Sequence, residues 1–320
     1  MGPSGMLGVD EHRESAWPSL PLSQWKDTCD TLHLWTQMAG KVKLALAPPL
    51  NHWWQVTLRV CARGLTTSAI PYRGGAVEIL FDLVDHVLSV ETSDGEMATM
   101  PLEPRSVASF YADFMALLRS LNVEVRIWRM PVEIPDAIPF DQDHVHASYD
   151  PVWAHRFWRV LLQADSALRE FAGRFQGKQS PVHFFWGSFD LASSRFSGRR
   201  APPRPGADPI TREAYSHEVM SFGFWPGGGP FDDAALYAYA APEPDGFAQA
   251  PFVPESALYL PQAHEVVLPY ETVRQAEDPR AVILDFFQGV YDAGAILARW
   301  DRDALDRPAS LSPPFYSAPA

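Results

Sequence analysis

From His52 to Thr66 the chain reads HWWQVTLRVCARGLT, and Trp54, Val56, Leu58 and Val60 recur at every second position, the period of a half-buried strand. A second stretch, HFFWGSFDLASSRFS from His183 to Ser197, aligns with it without a gap: His183 falls on His52, Phe184 and Phe185 on Trp53 and Trp54, and Ser188 on Thr57. Its inward face carries Phe185, Phe189 and Leu191, which sets Trp186, Ser188 and Asp190 on the other. Further strands follow in the same order in each half, AVEILFDLVDH, VLSVETSDG and EMATMPL in the first, then HEVMSFGFWPG, ALYAYAAPEPDG and HEVVLPY in the second. In both halves the third strand runs into Asp-Gly, a turn former.

Helical spacing appears before and after each set of strands. LSQWKDTCDTLHLWTQMAG (22–40) and PVWAHRFWRVLLQADSALREFAGRF (151–175) precede them, and helices opening at Pro104 and Pro279 follow, the latter with Val282, Phe286, Val290 and Leu297 at helical intervals. The expected fold is therefore α+β, an internal duplication of an α-β-β-β-β-α unit related by a pseudo-twofold, with mainly antiparallel sheets and flanking helices. The first repeat spans 17–134, with VEVRIWRMPVEI (123–134) as an extra strand, and 135–150 is a linker. The second repeat spans 151–303, between a mobile N-terminus (1–16) and a mobile Pro-rich tail (304–320).

Composition narrows the class. With 320 residues, 47% of them hydrophobic, the chain can bury a sizeable core, and its 30 prolines call for long, stiff connections. A net charge of −13 repels phosphate backbones and anionic lipid, so neither nucleic acid nor a membrane is an expected partner. Two cysteines are too few for a disulfide scaffold, and no signal peptide or apolar run of about 18 residues is visible, so the cytoplasm is the expected compartment.

Candidate chemistry lies where the halves differ. Arg195, Arg199 and Arg200, read as a Pro-stiffened loop, form an anion clamp or three solvated charges; Trp186 and Trp225 would wall a pocket that Ser188 and Asp190 line, or simply pack. His217, oriented by Glu213, is the acid-base candidate if the protein is an enzyme, with Asp190 as a further catalytic candidate, and a hydrogen-bonded core histidine otherwise. His144, His146 and Asp150 carry ligand atoms for a divalent metal, against the plainer reading of a polar linker. No dinucleotide, P-loop or nucleophile-elbow motif is present.

The phrases HFFWGSFDLASSRFSGRRAPP, EAYSHEVMSFGFWPGG, YAYAAPEPDGF, ARGLTTSAIPY and TSDGE resemble those of an uncharacterised bacterial protein family catalogued as a domain of unknown function, over about Trp17 to Trp300. The resemblance implies a stand-alone cytoplasmic protein and carries no activity. The expected function is binding of a small anionic metabolite in a pocket of the second repeat, with or without catalysis. A noncatalytic interaction module or homodimer is the first alternative, since Trp, Tyr and Arg also favour interfaces, and a metalloenzyme built on the His144/His146 segment is the second.

Overall fold

The computed structural model describes residues 16–229 and 231–308. Helices combine with two antiparallel sheets, an α+β arrangement. Helix α1, Leu22–Leu46, starts after Pro21, where Asp233 accepts the Leu22 N–H at 2.9 Å, and stops ahead of Pro48 and Pro49. Trp25, Leu32, Trp35, Met38 and Val42 are buried along it.

The first sheet comprises β1 (Arg59–Cys61), β2 (Gly64–Thr66), β3 (Ile70–Tyr72), β4 (Gly75–Asp82), β5 (Val87–Thr92) and β6 (Met97–Pro101) in the order β1-β2-β4-β5-β6, with β3 also on β4. Helix α2, Val107–Ser120, follows, its N-terminus capped by the Ser106 hydroxyl. Helix α3 (Pro151–Gly173) leads into β7 (His183–Phe185), β8 (Asp190–Arg200), α4 (Pro209–Ala214), β9 (His217–Trp225), β10 (Ala235–Ala241), β11 (Leu258–Leu260) and β12 (Glu265–Pro269). These strands order as β11-β12-β10-β9-β8-β7. Helices α5 (Tyr270–Gln275), α6 (Pro279–Leu297) and α7 (Arg302–Leu305) complete the described chain. At the start of α6, Asp278 caps the Ala281 N–H and Pro279 takes the first turn, the signal legible in the sequence.

The chain forms two compact units. The first holds residues up to Asp165 with His183–Leu191 and Phe224–Ala235; the second holds Ser166–Val182, Ala192–Gly223 and Leu236 onward. In the first, Trp35 stacks on Phe110 at 4.3 Å and Phe157 on Phe189 at 5.1 Å. In the second, Phe171, Phe222 and Phe287 pack ring against ring.

Three expected elements differ. Residues 51–56 form a 3-10 turn rather than the opening of a strand, because His52 and Trp53 adopt left-handed φ of 56° and 61° and the Gln55 side chain accepts the Leu50 N–H. HFFWGSFDLASSRFS is a hairpin, not one strand: Phe189, at φ 60°, returns its N–H to the Phe185 carbonyl, so Trp186 and Ser188 lie in the turn rather than on a strand face. Residues 123–134 contain no strand. The segment lies along α1, where the Gln37 amide both donates to the Val132 carbonyl and accepts its N–H, each at 2.9 Å, supplying the pairing a neighbouring strand would give. Of the ends expected to be mobile, 1–15 and 309–320 lie outside the described residues.

Trp186 lies flat on α1, and Gly40 makes that approach possible, since a Cβ there would sit inside the indole. Gly40→Ala is expected to lower unfolding free energy by about 1–3 kcal/mol through overpacking, despite the better helix propensity of alanine. Gly173→Ala, where a Cβ meets nothing within 4 Å, is the control. Urea titration of both variants checks it; equal stability of Gly40→Ala and wild type would refute the packing argument.

Candidate functional site

The segment read as an arginine loop is β8, and its side chains diverge. Arg195 is buried, 2% exposed, beneath the rings of Phe171, Tyr291 and Phe175 at 3.5, 4.5 and 4.9 Å, and donates to the Phe171 carbonyl at 2.5 Å. Burial lowers its pKa to about 9, and its Nε–H has no partner. Arg199, four residues on and on the same face, reaches Glu218 of β9 through Nε at 2.9 Å and Nη2 at 2.6 Å. It also donates to the Ala298 and Arg299 carbonyls at the end of α6, at 2.6 and 3.1 Å, and so caps that helix with a positive charge. Arg200 alternates to the other face and is exposed. The three guanidinium groups do not form one clamp.

Glu218 is the centre of the second unit's polar chemistry. Its Oε2 accepts from Arg199 and from the Ser197 hydroxyl at 2.9 Å. Beside it is a recess of about 140 Å3 lined by Val219, Met220, Ala240, Pro242, Pro244, Ala298 and Trp300. His217 points to the opposite face of β9, where Nδ1 lies 3.0 Å from the Ser216 hydroxyl, and that hydroxyl donates to the Glu213 carbonyl oxygen at 2.7 Å. None of these recess-lining residues was singled out in the sequence, because an Ala-Pro wall carries no chemical signature.

Trp186, Ser188, Asp190 and Trp225 belong to the first unit. Trp186 is buried and its indole N–H donates to the Val56 carbonyl at 2.7 Å; Ser188 donates to Asp190; Trp225 is half-buried against Gly229. His33 of α1, which no motif marks out, donates through Nε2 to the Trp186 and Gly187 carbonyls at 3.0 and 2.9 Å, and burial lowers its pKa to about 4. The Glu133 carboxyl packs on Gly187, and burial, then Asp190, raise its pKa.

His144 is exposed, whereas His146 Nδ1 lies 2.7 Å from buried Asp143, which also accepts the Val145 and His146 amides. Asp150 caps α3 by accepting the Val152 N–H at 2.8 Å. Among the described residues, no group of three or more His, Cys, Asp or Glu could hold a metal ion. No helix among them is long and apolar enough to cross a membrane.

A second cluster is basic. Lys43 of α1 donates to the Thr57 carbonyl at 2.6 Å, and burial, then Arg59, lower its pKa to about 8. His183 is 1% exposed, its Nδ1 has no partner, and burial, then Arg59, then Lys43 lower its pKa to about 3.

Residues 17–307 match the family of unknown function DUF5996, and the chain belongs to it. No curated protein and no solved structure matches the chain.

Two measurements follow from this geometry. Arg195→Ala is expected to cost about 3 kcal/mol, from the cavity and the abandoned Phe171 carbonyl, and Arg195→Met, which keeps most of the volume, clearly less. A loss below about 1 kcal/mol in urea unfolding of the alanine variant would contradict the assigned role. The His183 pKa is lower in the folded state, so between pH 6.5 and about 3 the unfolded chain binds the extra proton and stability falls as pH falls. The slope from this residue is about 1.4 kcal/mol per pH unit, and His183→Gln should remove that share between pH 6.5 and 5.

Proposed function

We propose that the protein binds a small anionic metabolite in the recess of the second unit, and that binding rather than catalysis is its primary chemistry. The observation that carries the reading is the fixed Arg199–Glu218 pair beside an otherwise apolar recess of about 140 Å3. A dry protein cavity of about 150 Å3 holds one benzene ring, so the ligand body has about six non-hydrogen atoms. Four N–H···O bonds occupy Arg199, whose guanidinium offers five donors. The remaining Nη1–H serves a ligand carboxylate, and Glu218 Oε1, opposite the occupied Oε2, serves a ligand hydroxyl or ammonium. A short hydroxy or amino acid satisfies both.

The element order supports a finer architectural reading as well, an internal duplication. Each half runs helix, strands, helix: α1, β1 to β6, α2, and then α3, β7 to β12, α6. The local departure lies where β1 and β2 make a hairpin and the aligned residues of β8 continue as one strand.

A thermal-shift series with carboxylic, hydroxy and amino acids of three to six carbons tests the binding reading. A matching ligand at 100 times its Kd adds about 2.7 kcal/mol of stability, a rise in Tm of several degrees. Ala240→Leu fills the recess and should abolish that rise, while Arg199→Lys, which loses the planar fork, should weaken it at least tenfold. A ligand that shifts wild type and Ala240→Leu equally would place binding elsewhere.

A further inference from the structure

We infer that the second unit carries a transition-metal site formed by Glu243, Tyr259 and His264, with a donor set suited to ferric iron. The three residues come from separate stretches of chain: Glu243 follows the end of β10, Tyr259 is the middle residue of β11, and His264 closes the turn that leads into β12. Antiparallel pairing of β11 with β12, Tyr259 opposite Val266, holds the last two on one hairpin, and the buried ring of Phe247 meets Tyr259 edge-on at 6.5 Å. Their polar atoms form a closed triangle. The Tyr259 hydroxyl donates to Glu243 Oε2 at 2.7 Å, His264 Nδ1 lies 3.2 Å from the same oxygen, and Nδ1 lies 3.2 Å from the Tyr259 Oη.

Hydrogen bonding accounts for two sides of that triangle and not for the third. The phenol carries one proton and the imidazole Nδ1 at most one, and Glu243 Oε2 takes both, so the side between Nδ1 and Oη has no proton of its own. A cation at the centre accounts for all three sides at once. An ion about 2.1 Å from its ligands sets neighbouring donors about 3.0 Å apart in an octahedron and about 3.4 Å apart in a tetrahedron. Sides of 2.7, 3.2 and 3.2 Å fit one face of the octahedron. Only two of the three ligands belong to the His, Cys, Asp and Glu types, the third being a tyrosine. Once the phenol proton passes to water, two anionic oxygens stand beside one neutral imidazole nitrogen. Two imidazoles with one carboxylate serve ferrous iron, and exchanging one imidazole for a phenolate adds negative charge and favours the ferric ion. Burial, then Glu243, push the Tyr259 pKa up to about 12, so the phenolate forms only where a cation takes the place of its proton. His264 is exposed, which leaves the outer positions of the ion to water or a small ligand.

The probes are ferric nitrilotriacetate, zinc chloride and magnesium chloride, added to the full chain purified without a histidine tag, with the chelate alone as the blank. Ferric iron should bind as one ion per chain and give a visible phenolate-to-iron charge-transfer band. Zinc gives no such band, but should shift the tyrosine ultraviolet absorption as the phenol loses its proton, and magnesium should do neither. Tyr259→Phe, which keeps the ring on Phe247, should abolish the band. His264→Gln, at an exposed turn position, should lower ferric affinity at least tenfold, and Glu243→Gln should lower it as much. Unchanged Tm of these variants without metal shows that they fold. Zinc bound more tightly than iron, with loss of the phenol proton, upholds the site and overturns the ferric assignment. No band with iron together with no phenol ionisation with zinc, a band that survives in Tyr259→Phe, or full affinity in His264→Gln would overturn the site itself.

Discussion

A guanidinium withdrawn from water beneath aromatic rings is the constraint on which the second unit depends. Arg195 of β8 touches Phe171 and Phe175 of the preceding helical segment, Phe222 of β9 and Tyr291 of α6, so one side chain fixes four pieces of chain. Burying that charge is costly, and a single carbonyl with ring quadrupoles offsets only part of the cost, which is why its pKa falls to about 9. Tyr291 extends the arrangement outward by donating to Asp306, which with Asp292 also receives Arg302. The period of the strand does the rest. Arg195, Ser197 and Arg199 share one face, so the residue that anchors the core also sets the pair that holds Glu218 beside the recess.

What could be read from the sequence is what local rules decide. Alternation in AVEILFDLVDH and HEVMSFGFWPG, the turn residues between strands, and Pro279 opening a 3.6-period run pointed to the α+β class and the antiparallel sheets, because each depends on neighbours close in the chain. His52 and Trp53 defeated the reading because alternation records side-chain type, and two left-handed residues change direction without changing type. VEVRIWRMPVEI forms no strand and finds its partners in Gln37 and Lys41 of α1, a pairing across roughly ninety residues that periodicity cannot see. The same limit hid the site. Nothing local separates Arg195, sealed in rings, from Arg199, capping a helix, or from Arg200, in solvent.

The buried cations follow a common rule that joins the two units chemically. Lys41 is held by the Met130 carbonyl at 2.9 Å, with Trp128 at 4.8 Å; Lys43 is held by Thr57 and Arg195 by Phe171. In each case the bonded acceptor is a main-chain carbonyl rather than a carboxylate. A carbonyl offers a dipole, not a full charge, and so leaves the desolvation of the cation incompletely offset. The pKa values of about 8, 8 and 9 express that remainder. Such a cation has two ways to relax, loss of its proton or acquisition of an anion. Arg195 is closed in by rings and can take neither easily near neutral pH. At Lys43 the nearby Arg59 charge adds to burial and lowers the pKa further, while Glu78 acts against both. Carboxylates meet guanidinium groups elsewhere, Asp82 with Arg63, Asp113 with Arg105 and Glu170 with Arg280, and there a full opposite charge stands where the buried cations have only a carbonyl dipole.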